Sequence, residues 1–304
     1  MRRGAILLLL ACLTLALPAR AAAHPRSATV ALDYDLVLDG ATKAIPGVTV
    51  AILDGDRSLR VRAHGETVVV RGDLGEPMLR IEPAGVWVNR ASVTAEANKL
   101  TSTGTGWKKL SSGSEYVWHE HRLAPPPWGS RLGPVARFSI PVTVNGKTAA
   151  IAGTFVRRAR PSLWPWLLLA AGLAVLVAAA LRLGRRVTTL LGAVAGLAAV
   201  GSIVAFSTAD APNGRIGWIQ IAFGVVLAAV MYAALVRAHG PRRSAIAGLL
   251  GGAAAAVSLG SLGVFRHGVV VSSLPAVASR ALVEIAFVCG IAAAATSLRR
   301  ESLR

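Results

Sequence analysis

The sequence predicts an α+β protein in which an exported antiparallel β-sandwich of immunoglobulin type precedes a bundle of five transmembrane helices. Three observations lead to this class. The mean hydropathy of +0.56 and the hydrophobic content of 54% are too high for an ordinary soluble protein, and the apolar residues are concentrated in the second half. The first half instead has short β-branched runs between turn-forming residues. The chain also opens with the pattern of a signal peptide.

Residues 1–23 have the features of a secretory signal peptide. Two arginines at the start precede an apolar run over residues 5–17, and small residues follow it. Two cleavage sites of A-x-A type fit, one after Ala21 and one after Ala23. The second site would make His24 the first residue of the mature chain.

Residues 24–160 predict the exported β-sandwich. Seven or eight short runs at this spacing, separated by Gly, Pro, Asp and Asn, are typical of an antiparallel sandwich of immunoglobulin size. The polar stretch at 91–114 predicts a long loop. The expected strands are VTVAIL (48–53), SLRVRA (58–63), TVVVRG (67–72), MLRIE (78–82), GVWVN (85–89), YVWHEH (116–121), ARFSIPVTV (136–144) and AAIAGTFVR (149–157).

Residues 161–298 predict five transmembrane helices, and residues 299–304 a cytoplasmic tail. Each helix approaches or exceeds the ~18–20 apolar residues that cross a bilayer core. The protein is therefore predicted to be a multi-pass plasma-membrane protein, with residues 24–160 extracytoplasmic and the C-terminus cytoplasmic. The predicted spans are about 163–183, 187–206, 216–236, 245–265 and 277–297.

The formal net charge of +18 follows largely from this topology. Arginines are dense around 182–186, 237–243 and 299–304, and an exported first domain places all three stretches on the cytoplasmic side. This is the distribution that the positive-inside rule expects. The charge therefore does not predict nucleic acid as a partner; the predicted partner is the lipid bilayer.

The segment YVWHEHR, residues 116–122, is the candidate site of the exported domain. Alternate side chains of a strand share a face, so His119 and His121 could bind one metal ion. Copper or zinc normally needs a third ligand, and His24 at the mature N-terminus is the best candidate. Copper is the candidate cofactor, and the identity of the metal stays open at the level of sequence. The alternative is a structural segment in which Glu120 and Arg122 form a surface ion pair.

Several motifs resemble an uncharacterised family of exported multi-pass membrane proteins of high-GC Gram-positive bacteria. The family pattern is G-E-P-Y-L-R, V-N-R-x-S-P-x-x-x-x-N, W-K-x-V-S and W-H-D-H-R-x-H. This chain departs from it at Met78, Val93, Glu120 and Ala124, and the last replaces a third histidine. The resemblance implies no established activity. Matching residues are Gly75, Glu76, Pro77, Leu79, Arg80, Val88, Asn89, Arg90, Ser92, Asn98, Trp107, Lys108, Trp118, His119, His121 and Arg122.

The architecture is also similar to that of copper-resistance proteins, which fuse a periplasmic copper-binding sandwich to a membrane permease. The similarity is one of architecture alone. The predicted helices contain a single methionine, Met231, and their neighbouring histidines lie in connections. They therefore lack the ligands that a copper path across the membrane would use.

Two features of the predicted helices bear on packing and function. Arg280 and Glu284 are spaced i, i+4, so they are predicted to form an intramembrane pair, or alternatively an interfacial pair with Arg280 extending outward. Glycines spaced four residues apart, such as Gly192 and Gly196, favour close helix packing or a homo-oligomer. No Ser/His/Asp or Cys/His arrangement and no carboxylate pair predicts an enzyme.

Two functions therefore stay open at the level of sequence. In the first, the exported domain binds copper for homeostasis or delivery. In the second, the domain is an interaction or scaffold module of the cell envelope that is anchored by the helical bundle. Its partner would then be an envelope protein or another copy of the chain.

The topology can be tested with a reporter that is active only in the cytoplasm. Fusions after Arg186, Arg243 or Arg304 should give signal, because these arginine-rich ends are predicted to stay inside. Fusions after Asn213 or His267 should give none. The opposite pattern would contradict both the five-span assignment and the extracytoplasmic position of the histidines.

Overall fold

The computed structural model describes residues 30–56, 58–102, 104–125, 131–180 and 185–302. The predicted signal peptide and His24 lie outside the described residues. The chain divides into two compact units, a β-unit over Leu32–Ala159 and a helical unit that contains the residues from Arg160 onward together with Ala31.

The β-unit contains two antiparallel sheets. The strands of the described residues are β1 Ala31–Leu32, β2 Tyr34–Leu38, β3 Val48–Leu53, β4 Ser58–Ala63, β5 Val68–Arg71, β6 Pro77–Glu82, β7 Gly85–Asn89, β8 Trp107–Ser111, β9 Glu115–His119, β10 Gly133–Val144, β11 Lys147–Arg157 and β12 Val269–Val270. Seven of them form the larger sheet of the β-unit in the order β2-β11-β10-β5-β6-β7-β8, and three form the smaller one in the order β3-β4-β9.

Both sheets of the β-unit contribute side chains to one hydrophobic core. Alternate residues point inward, so Leu59 and Val61 of β4 are fully buried, as are Leu79 and Ile81 of β6. The antiparallel β-domain that the sequence predicts is therefore present. The immunoglobulin type is not confirmed, because seven strands lie in one sheet and three in the other.

The predicted long loop at 91–114 is wrong in two places. Val93–Ala97 forms a short helix, and its first turn is capped by the Ser92 hydroxyl, which accepts a hydrogen bond from the backbone N–H of Ala95. Trp107–Ser111 forms the edge strand β8. Local polarity concealed both elements, because a capped helix and an edge strand can each be rich in polar residues.

The β10–β11 hairpin shows how local sequence fixes the register. Asn145 and Gly146 form its two-residue connection with φ angles of 48° and 82°. Positive φ at both positions is what a type I′ turn requires, and Asn-Gly is the favoured pair for it. The hairpin supplies two central strands of the larger sheet.

Five helices follow in the second unit, close to the five predicted positions. With the short helices α1 Gly40–Lys43 and α2 Val93–Ala97 of the β-unit counted first, they are α3 Trp164–Ala180, α4 Arg185–Ser207, α5 Trp218–Arg237, α6 Gly240–Leu259 and α7 Ala276–Ser302. The last helix therefore includes residues 299–302, for which the sequence predicts a cytoplasmic tail.

By length and composition, three segments of the described chain qualify as membrane spans, fewer than the five predicted. They are Arg186–Asn213, Trp218–Arg237 and Ala276–Leu298, while Trp164–Ala179 is a shorter apolar helix. Helix α6 begins with Arg242 and Arg243 in its first turn and is rich in glycine and alanine. Its mean hydropathy is lowered by these two arginines and by the small size of its glycine and alanine residues.

Small residues bring α6 close to α7 and to α4. A Cβ added to Gly251 would lie 2.7 Å from the Cβ of Ala293, and one added to Gly290 would collide with the carbonyl oxygen of Gly251. A Cβ on Gly192 would meet the backbone of Ala247 in the same way. The glycine spacing that predicts close helix packing thus corresponds to backbone contacts between three helices.

Replacing Gly290 by Leu should destabilise the helical unit, whereas Gly172→Leu should not. Apart from the backbone of its own helix, no atom of the described residues lies within 4 Å of a Cβ at Gly172. Overpacking at Gly290 should cost about 1–3 kcal/mol, which exceeds the helix-propensity gain of at most about 1 kcal/mol. Cys289, the one cysteine beyond the predicted signal peptide, is buried and can report the opening of the bundle on heating.

The measurement is thiol labelling of Cys289 during a thermal ramp of the purified full chain. Labelling of the Gly290→Leu variant should begin at a lower temperature than that of wild type and of Gly172→Leu. Equal midpoints for the two glycine variants would contradict the close contact of α6 and α7.

Candidate functional site

The two histidines of YVWHEHR do not share a strand face. Strand β9 ends at His119, and His121 begins a 3-10 turn over His121–Leu123. His119 is exposed at the strand end, where it pairs with Ser58 of β4. The predicted two-histidine face therefore does not form, because the alternation of the strand stops between the two residues.

A buried ion pair occupies the centre of the segment. The Glu120 carboxylate accepts hydrogen bonds of 2.8 Å from Nε and from Nη2 of Arg122, and a third of 2.8 Å from the indole Nε1 of Trp118. The Glu120 side chain is completely buried, and that of Arg122 is 13% exposed. The predicted surface ion pair is therefore a buried, bidentate one.

Burial and pairing act on Glu120 in opposite directions. Burial alone would raise the pKa of its carboxyl, but the hydrogen bonds and positive charge of Arg122, with the Trp118 indole, hold that pKa below its ordinary value. Glu120 is therefore ionised at neutral pH. Its charge depends on Arg122, because water does not reach it.

Arg122 also connects β9 to the end of β5. Its Nη1 donates to the carbonyl oxygen of Arg71 at 2.9 Å, and its Nε lies 3.5 Å from the Asp73 carboxylate. One guanidinium thus contacts the turn containing Glu120 and the loop that follows β5. The planar fork of arginine suits this arrangement, which a lysine could not reproduce.

His121 is held by two residues that are distant in sequence. Its Nδ1 lies 2.8 Å from Oδ1 of Asn98, and its Nε2 lies 2.8 Å from the carboxylate of Asp73. The backbone N–H of His121 also donates to Asn98 Oδ1. Both ring nitrogens are thus engaged by side-chain oxygens of neighbouring residues, so neither faces an open coordination position.

Glu76 fixes the loop that carries Asp73. Its carboxylate accepts hydrogen bonds from the Ser92 hydroxyl at 2.7 Å and from the backbone N–H groups of Thr94 and Leu74. Burial would raise the pKa of Glu76, but these hydrogen bonds lower it to about 2. The carboxylate thus joins the loop after β5 to the first turn of α2.

The family-like motifs therefore converge on one polar cluster, which we call the Glu120 cluster. It consists of Asp73, Glu76, Asn98, Trp118, Glu120, His121 and Arg122. The sequence motifs include six of these residues but not Asp73. Nothing local identifies Asp73, because its role comes from a contact with His121, 48 positions away.

A second group of side chains lies on β6, β7 and β8. The Arg80 guanidinium is 5.0 Å from the ring centroid of Trp87 and 5.0 Å from that of Trp107, and Lys109 Nζ is 5.4 Å from the Trp87 ring. We call these four residues the Arg80 ladder. Trp87 is not one of the residues that match the family pattern. Its alternation with the buried Val86 and Val88 places it on the face away from the core.

The copper hypothesis finds no support in this geometry. Within the described residues, no group of three or more His, Cys, Asp or Glu side chains could hold a metal ion. His121 is engaged at both ring nitrogens, and His24 lies outside those residues. The pair His119 and His121 therefore remains a sequence-based hypothesis without a third ligand.

Arg280 and Glu284 do not pair in the helical unit. Arg280 donates from Nε to the carbonyl of Val264 at 2.8 Å and from Nη2 to the carbonyl of His267 at 3.2 Å. Oε2 of Glu284 has no hydrogen-bond partner in the described part of the chain. Both side chains are buried. Arg280 therefore does not extend outward but binds one carbonyl of the 3-10 turn Leu262–Phe265 and one carbonyl just after it.

No protein-family model matches this chain, and searches of the curated proteins and of the solved structures give no similar protein.

Replacing Arg122 by Met should destabilise the β-unit by about 3–5 kcal/mol, because the buried Glu120 carboxylate loses its partner. The matched control is Arg62→Met, which breaks the exposed pair of Arg62 with Glu115 and should cost about 0–1 kcal/mol. Unfolding of the full chain in urea, followed by tryptophan fluorescence, measures both.

The double variant Glu120→Gln/Arg122→Met should be more stable than Arg122→Met alone, since it removes the stranded charge. The deficit of Arg122→Met should shrink as the pH falls, because wild type loses the stability that comes from a lowered carboxyl pKa while the variant is relieved of its charge. A pH-independent deficit equal to that of Arg62→Met would contradict the buried pair.

Proposed function

We propose that this chain is a multi-pass protein of the plasma membrane whose five helices α3–α7 all cross the bilayer. Three long apolar segments support this, as does the outward face of α5, where Trp218, Ile219 and Phe223 are largely exposed. Such a face matches lipid rather than water. Helix α6 is buried by its neighbours, so it can cross with small residues in place of large apolar ones.

The proposal places the β-unit outside the cell and the C-terminus inside. The signal-like N-terminal sequence and the arginines at the predicted cytoplasmic ends of the helices support this orientation. It also groups the chain with the exported membrane proteins that its motifs resemble. The support for that grouping is that matching residues such as Glu76, Asn98 and Arg122 belong to one cluster.

The β-unit is proposed to act as an interaction module of the cell envelope, anchored by the helices. One observation carries this choice over copper binding: the hydrogen-bonding groups of His121, Glu120 and Arg122 are occupied by one another and by their neighbours. A closed cluster of this kind rigidifies the domain that carries it. The rigid cluster can hold a binding surface of the β-unit in a fixed shape. It offers no open coordination position to a metal ion.

Copper titration of the mature full chain tests this choice. Replacing His119 and His121 together by Gln should leave copper uptake unchanged, because neither residue is a ligand in the proposal. The same replacement should lower the stability of the β-unit by roughly 1–3 kcal/mol through the lost hydrogen bonds of His121.

A chain with one residue added ahead of His24 is the control, since a terminal amine and imidazole can chelate copper by themselves. Near-stoichiometric binding that the double replacement abolishes, and that weakens as imidazoles become protonated below about pH 6, would establish a metal site. That result would overturn the interaction-module proposal.

A further inference from the structure

The outer face of the larger sheet carries a continuous row of cross-strand partners. Thr143 of β10 pairs with Val69 of β5, Val69 with Arg80, Arg80 with Trp87, and Trp87 with Lys109 at the sheet edge. The intervening residues of β5, β6 and β7, such as Val70, Leu79 and Val88, enter the core. On the edge strand β8 the intervening residue is Lys108, which pairs with Val88 and is exposed on the other face of the sheet. The row therefore places the Arg80 ladder on the side of the sheet away from the core, where β6, β7 and β8 meet.

The ladder is ordered before any ligand arrives. Arg80 lies against two indole rings at 5.0 Å each, and Lys109 lies against Trp87 at 5.4 Å. Such cation–π contacts hold long cationic side chains that would otherwise move freely. The entropy lost when these cations meet an anion is correspondingly reduced.

The cations of the ladder retain donors for a ligand. The Arg80 side chain is 35% exposed, and its one ion-pair partner among the described residues is the carboxylate of Glu82, which lies 3.7 Å from Nε. Lys108 and Lys109 are exposed on the edge strand, and Trp107 is 39% exposed. On this face the positive charges of Arg80 and Lys109 stand against the one negative charge of Glu82, which leaves a net charge of about +1.

We propose that the Arg80 ladder docks onto anionic phospholipid headgroups of the membrane that holds the helices. A guanidinium with a neighbouring lysine fits the oxygens of a phosphodiester, and exposed tryptophan beside cations is the combination found at membrane interfaces. This inference rests on the proposed membrane location. It adds a partner and a binding face that the location alone does not give.

The chain itself favours a lipid over other anions. Helix α3 begins at Trp164, seven residues after β11 ends at Arg157. A short connection gives a tethered surface a high effective concentration of the bilayer, so a few weak charge contacts are enough to hold it. A soluble acidic partner would gain nothing from this connection.

The test uses the full chain in lipid nanodiscs made of phosphatidylcholine alone or mixed with phosphatidylglycerol. A nitroxide on the lipid headgroup quenches nearby tryptophan, and the signal of Trp107 is obtained as the difference between wild type and Trp107→Phe. Quenching of Trp107 should be at least twofold stronger with phosphatidylglycerol, and high salt should abolish the difference.

Two variants of equal charge change separate the ladder from general basicity. Lys109→Gln should reduce the phosphatidylglycerol-dependent quenching at least twofold. Lys147→Gln, at an exposed position of the β10–β11 hairpin, should leave it unchanged. Equal effects of the two variants, or equal quenching in the two kinds of disc, would overturn the proposal.

A further arm adds a soluble polyphosphate to the phosphatidylcholine discs. A shift of Trp107 emission with polyphosphate, without quenching by phosphatidylglycerol, would assign the face to a soluble polyanion and would also overturn lipid docking. Incorporation of the helices into the discs is measured separately, by co-purification with the lipid. Failure to incorporate would contradict the membrane location, whereas incorporation without Trp107 quenching would contradict only the docking.

Discussion

The buried charge of Glu120 is the constraint on which the arrangement of the β-unit depends. A carboxylate without water requires a partner of opposite charge and several donors, and Arg122 and Trp118 provide them from positions two residues away on either side. Satisfying Arg122 in turn requires the carbonyl of Arg71. Pairing the Glu120 charge thus connects the end of β9 to the end of β5.

The sequence predicts regular elements better than it predicts the cluster that joins them. Apolar alternation locates most strands, and the Asn145-Gly146 pair identifies the central hairpin, because both signals are local. The contacts of His121 are not local: Asn98 precedes it by 23 positions and Asp73 by 48. Because the strand pattern of the sequence includes His121, it predicts a face with two histidines. In the structure the chain turns after His119, and the His121 ring contacts Asn98 and Asp73 instead.

The helical unit shows a related limit of hydropathy. Helix α5 has a largely exposed face of large apolar side chains, so composition reveals it readily. Helix α6 faces other helices, and glycine and alanine there allow backbones to approach. Helix α6 is consequently well buried although its hydropathy is low. The spacing of Arg280 and Glu284 likewise predicts a pair, but the Arg280 guanidinium donates its hydrogen bonds to the backbone carbonyls of Val264 and His267 instead.

Strand β8 has a consequence for the behaviour of several copies on one surface. It is the last strand of the larger sheet, and on its outer side no strand of the described residues pairs with its backbone N–H and C=O groups. Such an edge can template aggregation between molecules. The charges of Lys108 and Lys109 repel the same edge of a second copy. Any anion that neutralises them also removes this repulsion, so crowding on an anionic surface would favour edge-to-edge assembly.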